Sequence, residues 1–487
     1  MTSTVPSTTP GSVPSLPATA PSPQPQPATA ERTFELDRAH VFHSWSAQAT
    51  LNPLVVAGAR GSWVWDGEGR PYLDFSSQLV FTNVGIGHPA VVAAIQEQAA
   101  ALCTVAPQHA NEARSEAARL IVERAPGERF THVFFTNGGA DGIENAVRMA
   151  RLHTGRRKVL SRYRSYHGNT TTAINLTGDP RRWPNDYGAE GIVHFFGPFL
   201  YRSPFHSSTE AEECERALAH FEQVVELEGP NTIAAVVLES IPGTAGIMIP
   251  PPGYLRGVRE ICDRHGILWI ADEVMAGFGR AGRWFGCELG NEVPTGPGRW
   301  APAGGDDAEP DLIVFAKGVN SGYVPLGGVV VSADVVATFA HRVFPGGLTY
   351  SGHPLACAAA VATITAMEAE GMVGNAERLG REVFAPGLAE LAARHEIIGD
   401  VRGTGAFWAV ELVRDRVTRT PLVPYNASGE ANAPMVTFGA ACRRLGLLPF
   451  IHMNRTHVVP ALNIPDEEAR YGLELLDIAL TEVEASL

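Results

Sequence analysis

Apolar residues along this chain fall into short β-branched runs separated by longer amphipathic stretches, a pattern that predicts strands joined by crossover helices in a mostly parallel sheet. The runs are His132–Thr136, Val159–Ser161, Thr232–Leu238, Ile267–Ala271, Leu312–Phe315 and Gly328–Val331. Several end in a polar or ionisable residue: Asn137 after the first, Glu239 after the third, Asp272 after the fourth, and Lys317 just past the fifth. Ligands of open α/β sheets sit beyond the carboxyl ends of the strands, so these residues are expected to converge on one crevice. From about Leu355 the chain turns to Ala- and Glu-rich helical spacing and then to short strands at Gly405–Leu412 and Thr456–Pro460, which predicts a smaller mixed domain. The Gly/Pro-rich stretch Asn291–Pro310 reads as a surface loop, and the conformation of Asp179–Ser208 is not derivable from pattern.

Composition sets the first thirty residues apart. Met1–Ala30 carries no ionisable side chain and eight prolines, which predicts a disordered, extended tail. It lacks the basic start and apolar core of a secretory signal. The formal charge of −14, from 38 basic and 52 acidic residues, therefore falls entirely on the chain from Glu31 onward. A pI near 5.6 argues against a nucleic-acid partner, whose phosphates demand a basic face. No run of about 18 apolar residues is present to span a bilayer. Six scattered cysteines with no CxxC pair predict free thiols in a reducing cytoplasm, and they make structural zinc a poor expectation. The length, 487 residues at 45% apolar, suffices for two or more domains.

Three segments carry candidate chemistry. In Thr136-Asn137-Gly138-Gly139-Ala140-Asp141 a strand ends in two glycines and a helix begins with Ile143, Val147 and Ala150 on one face. Such a turn exposes backbone N–H groups at a helix N-terminus and suits a phosphate, although a Gly-Gly turn alone is more often only a turn. It is neither a dinucleotide fingerprint nor a Walker loop. In Trp269-Ile270-Ala271-Asp272-Glu273-Val274 an apolar strand delivers a carboxylate to the crevice, suited to a cationic ring nitrogen. A metal is the weaker expectation, because no His/Asp/Glu cluster at ligand spacing lies nearby. In Asp311-Leu312-Ile313-Val314-Phe315-Ala316-Lys317-Gly318 an apolar strand runs straight into a lysine. A lysine at the end of a buried strand is costly unless it is paired or used covalently, and Schiff-base formation is the common covalent use of a desolvated amine.

Together these residues resemble the class III, fold-type I, pyridoxal phosphate-dependent aminotransferases, over about Phe42 to Ile464. The likeness is carried by Trp65-Asp66-Gly67-Glu68-Gly69, Tyr72-Leu73-Asp74-Phe75, Asn137 to Glu144, Tyr166-His167-Gly168, Glu239, Ala271 to Val274, the Lys317 segment, Thr349 to Pro354, and Val401-Arg402-Gly403. The resemblance implies an α/β fold: a large domain at 86–350 with a mostly parallel, seven-stranded sheet, and a smaller α+β domain built from both chain ends, 31–85 and 351–487, after the tail 1–30. It implies that Lys317 holds pyridoxal 5′-phosphate as a Schiff base and moves the substrate's α-proton, and that Asp272 keeps the pyridine nitrogen protonated. Tyr166 and Val274 are expected on the two ring faces, with His167 among the cofactor contacts. Gly139 and Ala140 are expected at the phosphate, joined by Thr349 from a neighbouring subunit, so that a homodimer shares its active sites. Ala140 departs from the Ser or Thr common at that position, which removes one hydroxyl from the phosphate site.

For the substrate, the resemblance assigns Arg402 to the α-carboxylate of amino-acid substrates and Glu239 to the carboxylate that pairs with it. Phe450 stands where amine–pyruvate transaminases commonly carry a mobile arginine, and Arg455 lies nearby out of register. The segments around Phe75-Ser76-Ser77-Gln78, Gly446 to Phe450 and Asn454 to Pro460 are most similar to the taurine/amine–pyruvate, or omega, branch. Trp45 and Phe81 are expected in the wall of the amine pocket. The implied reaction passes nitrogen from a primary amine or ω-amino acid to a 2-oxo acid such as pyruvate, or in reverse aminates an aldehyde or ketone. An aminomutase or amino-acid epimerase uses the same Lys317 and Asp272; a non-catalytic binder of the cofactor has no need to keep them together with Tyr166.

Overall fold

In the computed structural model, residues 13–185, 188, 190–296, 299–302 and 308–487 are described. Seven strands form the main sheet, in the spatial order Phe130–Thr136, Gly327–Ser332, Leu312–Phe315, Leu268–Asp272, Ile233–Glu239, Lys158–Arg162 and Ile192–Phe195. Gly327–Ser332 runs antiparallel to both neighbours, and the other pairings are parallel. Side chains of successive residues point to opposite faces, and both faces are covered. Val236, Leu238, Trp269, Ala271, Ile313 and Phe315 enter one core, while Ala235, Val237, Leu268, Ile270, Leu312 and Val314 enter another beneath the helix Gly139–Thr154. That is why these strands read as unbroken apolar runs.

The helix Gly139–Thr154 follows the Gly-Gly turn directly and stops at Gly155, whose left-handed φ of 70° closes it. It lies unusually close to the sheet: a Cβ on Gly142 would stand 2.7 Å from a Val314 methyl. The turn itself is pinned by Gly327, where a Cβ would meet the Gly138 carbonyl carbon at 2.6 Å.

The strand Ile192–Phe195 lies inside the segment left without a predicted conformation; it is short and at the sheet edge, so its apolar signal is weak. Part of the expected loop Asn291–Pro310 is an antiparallel hairpin, Glu292–Gly296 with Arg299–Pro302; residues 297, 298 and 303–307 lie outside the described ones. The expected disordered tail is also corrected. Its first twelve residues lie outside the described ones, but a helix begins at Pro27 and runs to His40. Proline at the first helical position needs no N–H there, so the Pro-rich composition conceals a helix start.

Two smaller sheets complete the molecule. Val56–Arg60, Trp63–Asp66 and Pro71–Asp74 form an antiparallel set to which Leu447–Leu448 adds in parallel, tying the two ends of the chain together. The C-terminal sheet runs Ile398–Thr404, Phe407–Asp415, Arg455–Val458 and Phe450–His452, all antiparallel. Among the described residues no single helix is long and apolar enough to cross a membrane.

The last helix, Asp466–Ser486, is fastened by His395, whose Nε2 lies 2.6 Å from Asp477 Oδ1 and whose Nδ1 lies 2.8 Å from Glu484 Oε2. Burial opposes protonation of this imidazole, but the two carboxylates outweigh it and raise its pKa above the ordinary 6.5. A group whose pKa is raised by folding stabilises fully below its unfolded pKa, and the contribution is lost as pH rises through the folded value. His395→Gln is therefore expected to lower the melting temperature more at pH 6 than at pH 9, by a margin on the order of 1–2 °C in thermal scans. Equal losses at both pH values would remove the ionic role.

Candidate active site

Three neighbouring parallel strands end at the same edge and deliver Glu239, Asp272 and, two residues past Phe315, Lys317. They border a cavity of about 360 Å³ that is also lined by Asn137 to Ala140, Tyr166, His167 and Val274. Lys317 sits in left-handed backbone with φ 46°, a conformation rare for a residue with a side chain. Its ammonium makes no hydrogen bond or ion pair among the described residues. Burial pushes the amine's pKa down, Asp272 and Glu239 pull it back, and Arg181 adds to the fall. An amine held this way is the nucleophilic form of lysine.

Asp272 is almost fully buried and is held on both oxygens. His167 Nδ1 lies 2.7 Å from Oδ2, and the Val274 amide donates to Oδ1 at 3.1 Å. The imidazole is fixed in turn, with Nε2 at 3.2 Å from Ser161 Oγ and its own amide donating to Thr177 Oγ1. A carboxylate oriented from behind by a buried imidazole presents its remaining face to the cavity. The next residue, Glu273, turns away to Ser240 Oγ and the amides of Gly286 and Cys287; burial pushes its carboxyl up to about 7 despite those donors.

The rest of the lining follows from local structure. Gly138 to Ala140 open the helix Gly139–Thr154, where unpaired N–H groups and the helix dipole favour an anion. Gly139 touches the opposite wall, since a Cβ there would come within 2.8 Å of a Val274 methyl. Tyr166 carries the Arg181 guanidinium 3.6 Å from its ring centroid. Phe81 follows a turn in which Ser77, Gln78 and Val80 all have positive φ, and that turn is gathered by the Asp74 carboxylate, which accepts from Ser76 and Gln78. Trp45, 68% exposed, borders the mouth.

Ten of the thirteen expected site residues thus line one cavity: Trp45, Phe81, Gly139, Ala140, Tyr166, His167, Glu239, Asp272, Val274 and Lys317. Three do not. Thr349 is exposed on the surface. Phe450 packs partly buried against the core formed by Ile241, Phe407 and Ala409 and stacks near His452 and His457. Arg402 is engaged elsewhere than expected. It bonds Asp400 at 2.5 Å, Glu411 at 3.0 Å and the Gly246 carbonyl, while Glu239 accepts the amides of Tyr166 and Gly243. The two residues sit on different sheets, and each is satisfied by its own surroundings. Sequence reasoning missed the contact of His167 with Asp272 and the arginines Arg164 and Arg181 beside Tyr166. Their only signal is the crowding of ionisable residues between Arg162 and Arg182.

A cradle of main-chain amides, an aromatic slot, an oriented carboxylate and a half-buried lysine without a hydrogen-bond partner among the described residues, all in one cavity, fit pyridoxal 5′-phosphate. Comparison with known proteins agrees. The aminotransferase class-III family model matches residues 45–480. A 5-aminovalerate aminotransferase from Pseudomonas aeruginosa is 33% identical over 88% of this chain and 93% of its own length. A taurine–pyruvate aminotransferase from Rhodobacter capsulatus is 33% identical over 92% of this chain and 96% of its own. Among solved structures, a taurine:2-oxoglutarate aminotransferase from Bifidobacterium kashiwanohense, in complex with pyridoxal phosphate and glutamate, superposes with a TM-score of 0.87 at 38% identity, covering 94% of this chain and 99% of that one. An omega-transaminase from Thermomicrobium roseum does so with a TM-score of 0.83 at 34% identity, over 93% and 99%. The chain has the fold-type I architecture, uses pyridoxal phosphate, and belongs to the class III aminotransferases.

Proposed function

We propose that this aminotransferase takes nitrogen from a primary amine or ω-amino acid and gives it to a 2-oxo acid such as pyruvate, the reverse direction aminating an aldehyde or ketone. The observation that carries this reading is Lys317, half-buried and without a hydrogen-bond partner among the described residues, beside an Asp272 carboxylate that His167 orients at 2.7 Å. Relatives named for 5-aminovalerate and taurine support the ω-amino class of donor.

Bound pyridoxal phosphate supplies the electron sink that acidifies the substrate's α-carbon. Lys317 would hold the cofactor, and its Nζ, when not so engaged, would serve as base for the substrate's α-proton and as the acid that returns it. Burial lowers its pKa and so shifts it toward the neutral amine that the first of these tasks uses. Asp272 would hold the ring nitrogen and favour its protonated form. Tyr166 and Val274 would hold the ring and so orient the bond that breaks. The amides of Gly139 and Ala140 receive the phosphate. Trp45 and Phe81 exclude water from the apolar side of the amine.

The enzyme is proposed to act as a homodimer in the cytoplasm. Exposed Phe42, Trp45, Val343 and Tyr350 supply apolar surface of the kind that a second subunit covers, and Thr349, exposed and next to Tyr350 in the chain, is free to serve the phosphate of the opposite site. Its six cysteines are all free, as a reducing compartment keeps them.

Light scattering is expected to give twice the chain mass of 52.0 kDa; a monomer that retains full activity would remove the shared-site model. Ala140→Ser supplies a hydroxyl to the phosphate, and one hydrogen bond of about 0.5–1.5 kcal/mol slows cofactor loss on dialysis roughly two- to tenfold. Loss at the same rate or faster counts against the placement of Ala140. In a half-reaction screen, the absorbance of the bound cofactor is expected to bleach with ω-amino acids and primary amines and to recover with pyruvate as alanine forms. Isomerised product with no 2-oxo acid turnover would instead indicate a mutase or epimerase. Lys317→Ala is expected to abolish bleaching by every donor.

A further inference from the structure

Residues paired across an antiparallel sheet share a face. In the C-terminal sheet Asp400 lies opposite Glu411, Glu411 opposite Arg455, and Arg455 opposite His452, while Arg402 and His457 both lie opposite Ala409. One face of this sheet is therefore charged, and it is buried. It packs against Phe199, against Arg202, and against the turn at Gly246, where a Cβ would stand 2.5 Å from Arg402 Nη2 and 2.8 Å from Arg455 Cδ.

The charges on this face do not balance. Glu411 takes Arg202 at 2.7 Å and Arg402 at 3.0 Å, and Asp400 takes the other end of Arg402. Burial works against the Glu411 carboxylate, yet Arg402 and its neighbours hold it down at about 2, so it is ionised and fully committed. Two guanidiniums remain. Arg455 is 3% exposed; among the described residues its Nε has no partner, and the one hydrogen bond of its guanidinium is a long one, 3.5 Å, to Asn454 Oδ1. Arg164 reaches only the Ala245 carbonyl at 3.4 Å and lies over the same Phe199 ring that Arg402 covers, each 4.7 Å from its centroid. Among the described residues neither has a carboxylate within 4.0 Å. Burial pushes the pKa of Arg455 down to about 10 and that of Arg164 well below its ordinary value; Glu411 offsets part of this in each, and the other cations nearby add to it. Beside them His457 is fully buried with neither ring nitrogen bonded.

An unpaired buried cation such as Arg455 is costly, and the half-buried Arg164 nearby adds to that cost. A fold tolerates that where an anion arrives to use it. The place is next to the cavity: Arg164 is two residues from Tyr166, and the carbonyl it touches, Ala245, follows Thr244 in the cavity wall. Arg181, whose charge reaches Lys317, also acts on Tyr425 together with Arg164 and Arg455.

We propose that Arg164 and Arg455 form a subsite for the acid group at the far end of an ω-amino acid donor, carboxylate or sulfonate, while Asp400 and Glu411 keep Arg402 occupied. The subsite rests on the transaminase reading above and adds the residues that select acid-bearing donors over neutral amines. A fork of guanidinium N–H groups suits either oxyanion, and each charge-assisted hydrogen bond to it is of the stronger kind.

The test compares holoenzyme half-reactions with 4-aminobutyrate, taurine and n-butylamine. In Arg455→Gln and Arg164→Gln, the ratio of kcat/KM for the acid donors to that for n-butylamine is expected to fall roughly ten- to hundredfold, mainly through KM, with partial recovery in Arg455→Lys. A drop in 4-aminobutyrate alone or taurine alone identifies which oxyanion the subsite takes. Proportional losses for all three donors mean a structural role and overturn the proposal, as does an unchanged ratio. Wild-type bleaching by n-butylamine but by neither acid overturns the subsite and leaves the transaminase reading standing; bleaching by no donor overturns both. A second readout is independent of turnover. Methanesulfonate is expected to raise the melting temperature of the wild-type holoenzyme but not that of Arg455→Gln, which without the anion melts no lower than wild type because it sheds an unpaired buried charge. A marked fall there would show that Arg455 already has its partner within the fold.

Discussion

The contact between His167 Nδ1 and Asp272 Oδ2, at 2.7 Å in nearly complete burial, is the constraint around which the rest of the site is arranged. A carboxylate at the end of a fully buried strand would be costly if loose. Here it is held by the imidazole on one oxygen and by the Val274 amide on the other. The imidazole is in place because Ser161, on the neighbouring part of the sheet, meets its far nitrogen, and because Thr177 anchors its backbone. The same chain segment continues into Tyr166, whose amide is tied to Glu239. One hydrogen-bonded series thus fixes the heights of three strand ends relative to the lysine that follows the fourth.

Much of this was legible in the sequence, because a parallel sheet covered on both faces leaves a coarse signature. Leu312–Phe315 was delimited to the residue, and Ile233–Glu239 and Leu268–Asp272 within one residue at either end. Where burial is one-sided or the strand is short the signature fades, which is why Ile192–Phe195 went unseen and why part of 291–310 pairs as a hairpin despite its glycines and prolines. Ten of the expected site residues surround one cavity because strand ends are a topological feature that order along the chain reveals. The engagement of Arg402 was not legible, for a different reason. Its partners Asp400 and Glu411 lie two residues away and across a strand pair, and no linear pattern distinguishes such pairing from an arginine left free for substrate.

The charge distribution shows how little the net value of −14 says about the site. Acidic residues dominate the chain, yet arginines gather beside the cavity: Arg164, Arg181 and Arg455 act on Tyr166, Lys317 or Tyr425, and Arg402 packs with Arg455 at the Gly246 turn. Their field is local because the surroundings are dry. In water a charge is screened within about 10 Å, whereas behind Phe199 and the Gly246 turn it is screened far less. Net acidity describes the whole surface, whereas the arginines beside the cavity act locally.

The two kinds of lining residue come from different kinds of structure. Lys317, Asp272, Glu239 and His167 are carried by strand ends and by the hydrogen bonds between them, so their relative positions follow from sheet register alone. Trp45, Phe81 and the residues around Thr244 are carried by turns, several in left-handed backbone: Trp45 at φ 53°, and Ser77, Gln78 and Val80 just before Phe81. Strained turns tolerate substitution and rearrangement in ways that sheet register does not. A transaminase must hold one cofactor rigidly while admitting two chemically different substrates in succession. Assigning the first task to the sheet and the second to turns and to the charged face of a separate sheet lets substrate range change without disturbing the proton-transfer geometry. The same division explains why the reaction type was readable from strand patterns while donor preference had to be argued from the partners of individual arginines.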